Sequence, residues 1–236
     1  YDSIDALKSI IKYAHKKDLL VILDAKRNDI GSTSKAYADA IFDNFNADAC
    51  TLNAYLGSDS INPFLKYKDK GIFILLKTSN PSSIEFQDLF SVKLENVSKD
   101  ITEIIWRGMP ESIKLERNYI QMAKLINQWG SELSTYSGYH NLGGVVGATY
   151  SIELKKIREI LLNSFILIPG FGFQGGTAGD IKYGFDENGL GSIINSSRGI
   201  MYAYKNNPKY SEEQFGQAAR AQVLEMNEQI KKEINL

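Results

Sequence analysis

The sequence predicts an α/β fold whose parallel strands close into a (β/α)8 barrel, and three observations predict it. Apolar runs of strand length alternate along the chain with helical segments, the order expected of βα units around a parallel sheet. The runs are continuously apolar rather than alternating, as when both faces of a strand are buried. Polar residues stand at the C-terminal ends of several different runs: Asp24 and Lys26, Asn53, Lys77 to Ser79, Gln174 and Arg198. In a barrel such ends converge on one mouth, where the active site is found. An open sheet would spread them along an edge.

The elements follow in order. The opening segment, YDSIDALKSIIKYAHKK, reads as an amphipathic helix over 4–17 with Ile4, Leu7, Ile10 and Ile11 on its apolar face. Charges interrupt it throughout, so it is not a signal peptide. Strands are expected at 19–25, 49–55, 71–79, 143–149, 165–172 and 192–197, and helices near 32–46, 58–67, 112–136, 151–163, 177–186 and 211–234. Six strand-helix units are visible, whereas a barrel needs eight. On this reading the helix at 4–17 is the second of the barrel, and its first two strands precede residue 1. The longest connection, 80–111, is expected to carry a short helix around 97–107 and to lie beside the mouth as a lid or a surface insertion. Trp106 and Trp129 read as packing residues, and His15 and His140 as surface or loop positions. With no repeat, low-complexity tract or linker, residues 1–236 are expected to form one domain.

Composition removes several function classes. The 43% apolar and 23% charged shares are those of an ordinary globular chain. A net charge of −1 gives no polycationic face for nucleic acid. The single cysteine, Cys50, cannot form an internal disulfide, which fits a reducing compartment such as the cytoplasm. Two histidines and one cysteine do not suggest a zinc site of the usual ligands, although carboxylates could hold a harder ion. No run approaches the roughly 18 apolar residues of a membrane span.

The chemistry concentrates in VILDAKRNDIGST, residues 21–33. Asp24 and Lys26 are two residues apart, so on a strand they point to the same side. Inside a barrel they would share a low-dielectric space, each favouring the charged form of the other. Asp29 lies beyond the strand, and Ser32 or Thr33 is expected to cap the next helix. A solvated strand end with one salt bridge is the competing reading; the polar groups on the other strand ends weigh against it. Two later loops look anion-binding. PGFGFQGG (169–176) contains Gly170-x-Gly172-x-x-Gly175, formally a dinucleotide fingerprint. It follows the fifth visible strand, however, and no acidic residue ends the next one, so the dinucleotide reading is rejected. Its glycines would let backbone N–H groups approach an anion. In NSSRG (195–199), Arg198 can make charge-assisted bonds to phosphate oxygens. Loops after the last two barrel strands often bind phosphate.

Taken in this order and spacing, LDAKRNDIGST, LKTSNP, GGVVGAT, PGFGFQGG and SSRGI resemble the orotidine 5′-phosphate decarboxylase family from about residue 18 to residue 201. The resemblance implies a TIM barrel that converts orotidine 5′-monophosphate to uridine 5′-monophosphate with no metal or organic cofactor. It implies that Lys26 protonates C6 of the pyrimidine and that Asp24 sits against the departing carboxylate and holds the lysine. Asp29 would reach the neighbouring subunit's site with Thr33 beside the ribose, hence a homodimer. Ile30, Ser79 and Pro169 would contact the substrate, Ser79 at the pyrimidine edge and Pro169 along the ring pocket. Gln174, Arg198 and the backbone at Ser197 would grip the 5′-phosphate. The family also carries an Asp on its first strand and a Lys on its second. Neither is present here, and an omitted N-terminal portion is expected to supply them. Two other readings remain open. One is a Mg²⁺-dependent sugar-phosphate decarboxylase or hexulose-phosphate synthase of the same superfamily, and the other a non-catalytic nucleotide-binding relic.

Overall fold

The computed structural model describes residues 2–91, 115–172 and 175–234. Eight strands are formed among them: β1 (Ile22–Arg27), β2 (Ala49–Leu52), β3 (Gly71–Lys77), β4 (Phe90–Ser91), β5 (Glu116–Arg117), β6 (His140–Val146), β7 (Ser164–Pro169) and β8 (Ser192–Asn195). Six of them make one sheet in the order β1-β2-β3-β6-β7-β8, and every neighbouring pair in it is parallel. This is the α/β barrel architecture without closure: β1 and β8 are the edges of the sheet among the described residues. The helices are α1 (Asp2–His15), α2 (Gly31–Asp39), α3 (Asn62–Leu65), α4 (Asn118–Gly130), α5 (Ser151–Ile160), α6 (Ala178–Ile181), α7 (Ser197–Met201), α8 (Ala203–Asn206) and α9 (Phe215–Glu233).

Each central strand buries side chains on both faces, as its unbroken apolar composition requires. One face carries Cys50, Leu52, Ile72, Ile74, Leu76, Leu142, Val146, Ile166 and Ile168, packed with helical Ala123, Ile126, Leu154 and Ile157. The other carries a smaller cluster of Ala49, Phe73, Val145 and Leu167, with Ile22, Leu75 and Phe165 against it. Burying each large side chain contributes roughly 1.5–3 kcal/mol. Gly143 is required where β6 meets β7, because a Cβ there would lie 2.2 Å from the Phe165 carbonyl oxygen.

The structure corrects several expectations. The first strand and helix agree in type, but of the four apolar residues of α1 only Ile11 is buried, while Ile4 and Ile10 stay exposed. That helix is fastened instead by His15 Nε2 to Asp48 Oδ2 at 2.9 Å. α2 is not capped by Ser32 or Thr33. Gly31 turns at φ +57° and starts the helix, Ile30 occupies the N-cap without a side-chain bond, and Asp29 Oδ1 accepts from the Ile30 N–H at 2.8 Å. The helix widens into a π-turn at Ala40–Asn44. β2 stops at Leu52 because Asn53 N–H bonds to Arg27 O and Asn53 Oδ1 then accepts from Tyr55 N–H. An antiparallel pair, β4 with β5, went unforeseen. The expected helix at 97–107 and Trp106 lie outside the described residues; Trp129 packs on the core as expected.

His140 is not a surface histidine. It opens β6, three residues before the expected start, and is 5% exposed. It is seated against Gly130, where a Cβ would come within 2.3 Å of the imidazole. Burial pushes its pKa down.

The N-terminal end of the sheet is closed by Arg158. Its guanidinium donates to Gly184 O at 2.7 Å, Leu161 O at 2.6 Å, Ser164 O at 2.9 Å and Gly191 O at 2.6 Å, and is 7% exposed. Beside it Tyr139 donates to Asp186. Arg158→Met should therefore leave four carbonyls without their donor and lower stability by about 3 kcal/mol, read as a reduced urea midpoint at an unchanged slope. A midpoint unaltered by the substitution would contradict the assignment.

Candidate active site

Parallel pairing places the C-terminal ends of all six strands on one rim, and backbone bonds link them there. Asn53 N donates to Arg27 O at 2.9 Å, Gly147 N to Lys77 O at 2.8 Å, Ala148 N to Pro169 O at 2.8 Å and Gly170 N to Asn195 O at 3.1 Å. Ser196 Oγ then donates to Phe171 O at 2.7 Å. Of the residues expected at the site, Asp24, Lys26, Ser79, Pro169, Ser197 and Arg198 lie along this rim, and Asp29, Ile30 and Thr33 stand apart.

At one end of the rim, Lys26 Nζ bonds Asp24 Oδ2 at 2.5 Å. Thr51, buried on β2, donates its hydroxyl to Asp24 Oδ1 at 2.7 Å and accepts from Lys26 N–H at 3.1 Å. The register of β1 on β2 shifts between Leu23 and Arg27, and Lys26 takes φ +47°. A non-glycine residue in that region costs on the order of 1–3 kcal/mol. Among the described residues β1 is an edge of the sheet, and there the Lys26 and Asp24 side chains are 49% and 63% exposed, not enclosed as expected. An exposed pair of this kind contributes at most about 1 kcal/mol. Stability alone therefore does not account for the strained backbone. Burial would raise the Asp24 carboxyl, but hydrogen bonds from Lys26 and Thr51, with the ammonium's charge, outweigh it and hold the group below the usual range.

Asp29, Ile30 and Thr33 stand apart, beyond β1 at the start of α2, with Ile30 and Thr33 exposed. Ile30 borders a shallow surface cleft with Gly31, Ser32, Lys35, Asp59, Asn62, Pro63 and Lys66. Asn28, between the two acidic positions, buries an Oδ1 that has no hydrogen-bond partner among the described residues.

Further along, Ser79 abuts Gly147, where a Cβ would come within 3.2 Å of the Ser79 Cβ. Pro169 ends β7 and is registered with Asn195 on β8. Ser197 and Arg198 open α7, and Ser197 Oγ donates to Asn195 Oδ1 at 3.2 Å. Gln174 lies outside the described residues. The glycine loop differs from its expected use. Gly170, Gly172 and Gly175 adopt φ of +101°, +73° and +91°, but their N–H groups bond to Asn195 O, Gly176 O and Gly172 O. In this conformation the Gly172 and Gly175 amides are committed to the loop itself and the Gly170 amide to the end of β8.

Lys77, given no role from sequence, is fully buried. An unpaired ammonium there would cost several kcal/mol. Its Nζ donates to Asp88 Oδ2 at 3.0 Å and Ser83 Oγ at 3.3 Å, and lies 4.5 Å from the centre of the Tyr150 ring. Asp88 also faces Arg117 at 3.5 Å.

The sequence profile described as "Orotidine 5'-phosphate decarboxylase / HUMPS family" matches residues 1–214. The chain belongs to that family. Orotidine 5′-phosphate decarboxylase of Caldicellulosiruptor saccharolyticus is 42% identical over 220 residues, covering 87% of this chain and 65% of that protein. The enzyme of the same name from Rhodopirellula baltica is 37% identical, covering 96% and 72%. The chain thus spans about two-thirds of the length of these curated relatives. The solved structure of Leishmania donovani OMP decarboxylase superposes with a TM-score of 0.70 at 30% identity, covering 96% of this chain and 74% of that one.

Along this rim, sequence reasoning missed Thr51, Gln87 and Asp88, and gave Lys77 no role. Thr51 had a signal, a hydroxyl inside an otherwise apolar strand; the others bond across an irregular loop that periodicity does not reach. Among the described residues no group of three or more His, Cys, Asp or Glu side chains could hold a metal ion, and no helix is long and apolar enough to cross a membrane.

The depressed Asp24 pKa means that its contribution to stability is present at neutral pH and is lost as pH falls through its folded-state value. Thr51→Val removes one of the bonds responsible, so Asp24 should titrate higher, towards the ordinary carboxylate range. Carboxyl ¹³C NMR of the two proteins would show this as an upward displacement of the Asp24 curve, and coincident curves would refute it.

Proposed function

We propose that this chain catalyses the cofactor-free decarboxylation of orotidine 5′-monophosphate to uridine 5′-monophosphate in de novo pyrimidine synthesis. One observation carries the reading: a lysine held in a left-handed backbone conformation at the sheet's C-terminal rim, bonded to Asp24. Family membership and the names of the curated relatives support it.

The chemistry follows from the charges. When the C6–carboxylate bond breaks, its electron pair remains on C6 with no conjugated sink. A fixed ammonium beside that carbon stabilises the developing charge, and transfer of a Lys26 Nζ proton forms the C6–H bond as CO2 leaves. Asp24 stands against the substrate carboxylate and aims the lysine; Thr51 fixes Asp24 in turn. Ser79 reads the pyrimidine edge, and Pro169 lines the ring. Gln174, Arg198 and the Ser197 backbone hold the phosphate, whose binding energy is spent on aligning the reacting carbon.

Asp29, Ile30 and Thr33 fit a second part of this reading. They lie beyond the lysine's strand at the start of α2, and Ile30 borders an exposed cleft, as residues lent to the neighbouring subunit of a homodimer would. The buried free thiol of Cys50 fits a reducing, cytoplasmic setting.

Orotidine monophosphate absorbance, followed with the full chain in excess EDTA, tests the chemistry. Loss of the orotate chromophore is expected, slowed roughly a thousandfold by Lys26→Ala. Turnover that requires added Mg²⁺, or a folded protein that binds uridine monophosphate without turning over, would exclude the reading. If sites are shared between subunits, inactive Lys26→Ala and Asp29→Ala chains should complement when mixed, restoring about a quarter of wild-type activity by random pairing. A mixture that stays inactive would put Asp29 outside the neighbour's site.

A further inference from the structure

We propose that Gln87 and Lys77 are positioning residues that set the substrate-reading turn Thr78–Asn80 from outside the site. The inference deepens the function proposed above and rests on it, since Ser79 is the reader in that proposal. Gln87 makes a reciprocal pair with Thr78: its Oε1 accepts from Thr78 N–H at 2.9 Å, and its Nε2 donates to Thr78 Oγ1 at 2.8 Å. The Thr78 hydroxyl then donates to Asn80 Oδ1 at 2.7 Å. Both sides of Ser79 are thereby tied to one amide eight residues from it in sequence.

That amide is itself anchored twice. Gln87 N–H donates to Ser83 O at 2.8 Å, and Gln87 O accepts from Tyr119 N–H at 3.1 Å. Asn118, next to it, donates its N–H to Leu89 O at 2.9 Å and its side-chain Nδ2 to Phe86 O at 2.8 Å. The loop is thus fixed to the first turn of α4. Lys77 supplies the second anchor. Buried at the end of β3, it holds Asp88 and Ser83, which bracket Gln87 in the loop. A buried ammonium retains its carboxylate partner because separating them would strand a charge. Opposite this clamp, Gly147 packs closely on Ser79, where an added Cβ would come within 3.2 Å of the Ser79 Cβ and require a shift of a few tenths of an ångström. The turn therefore has one seat, defined by the clamp on one side and β6 on the other. None of these groups needs to touch the substrate to govern how well Ser79 meets the base.

The test compares uridine monophosphate, which presents the base, with ribose 5-phosphate, which does not. In the full chain, Gln87→Leu removes both bonds to Thr78 while keeping the bulk. It should weaken uridine monophosphate binding about tenfold and raise Thr78 amide hydrogen exchange by a similar factor. Ribose 5-phosphate affinity and exchange in β7 should stay unchanged. Gln87→Glu keeps an acceptor for Thr78 N–H and should recover most of the loss. Lys77→Met should give the same split between the two ligands. Equal loss of both ligands, or an unchanged Thr78 amide in Gln87→Leu, would overturn the clamp. A wild-type chain that takes ribose 5-phosphate and rejects uridine monophosphate would instead overturn the function, and Thr78 exchange would still decide the clamp.

Discussion

Parallel pairing is the constraint from which the rest of this molecule follows. Strands that run the same way cannot be joined by tight hairpins, so each connection must cross over and carries a helix or a long loop. Both faces of the central strands are then covered, which demands continuous apolar sequence. The only place left for polar chemistry is where the strands stop. Asp24, Lys26, Lys77, Pro169 and the segment after Asn195 all share one rim for this reason.

Three polar groups buried at that rim are engaged, whereas Asn28 Oδ1 has no partner among the described residues. Thr51 bonds to both the Asp24 carboxylate and the Lys26 backbone, Lys77 is enclosed by Asp88, Ser83 and Tyr150, and Ser196 ties the last strand's end to the glycine loop. Such groups are costly when unpaired and rigid when paired. Under the function proposed above, the site would hold a proton donor against a reacting carbon and would need that rigidity, because small misplacements carry large rate penalties. The strained φ of Lys26 fits the same logic, since its orientation is set by neighbours rather than by local backbone preference.

Much of this was readable in the sequence, for identifiable reasons. Unbroken apolar runs such as GIFILLK and SFILIP gave the six parallel strands, with ends misplaced by up to three residues. At 53 the strand end depended on a side-chain turn, and at 140 on a histidine seated against Gly130. The charged cluster at 24–29 stood out because it interrupts an apolar strand. What sequence could not supply was solvent exposure and long-range bonding. Asp24 and Lys26 were expected in an enclosed interior and lie on a strand that is an edge of the sheet among the described residues. Lys77 stood at a strand end with no role assigned, and no periodicity reveals that Asp88, eleven residues on, folds back to meet it. The glycine loop announced its conformations through its glycines but not the partners of its amides.

The Arg158 network gives the molecule a division of labour that bears on how it can change. Its four carbonyl partners gather at the start of β7, the start of β8 and the turn after α6, at the opposite end of the strands from Lys26. Cohesion is thus concentrated at one pole and the candidate site at the other. Substitutions that reinforce the Arg158 pole can accumulate without touching the chemistry, and the margin they create can absorb destabilising experiments in the loops of the other rim. A barrel held together in this way can be inherited almost intact while its mouth is rebuilt for a different substrate.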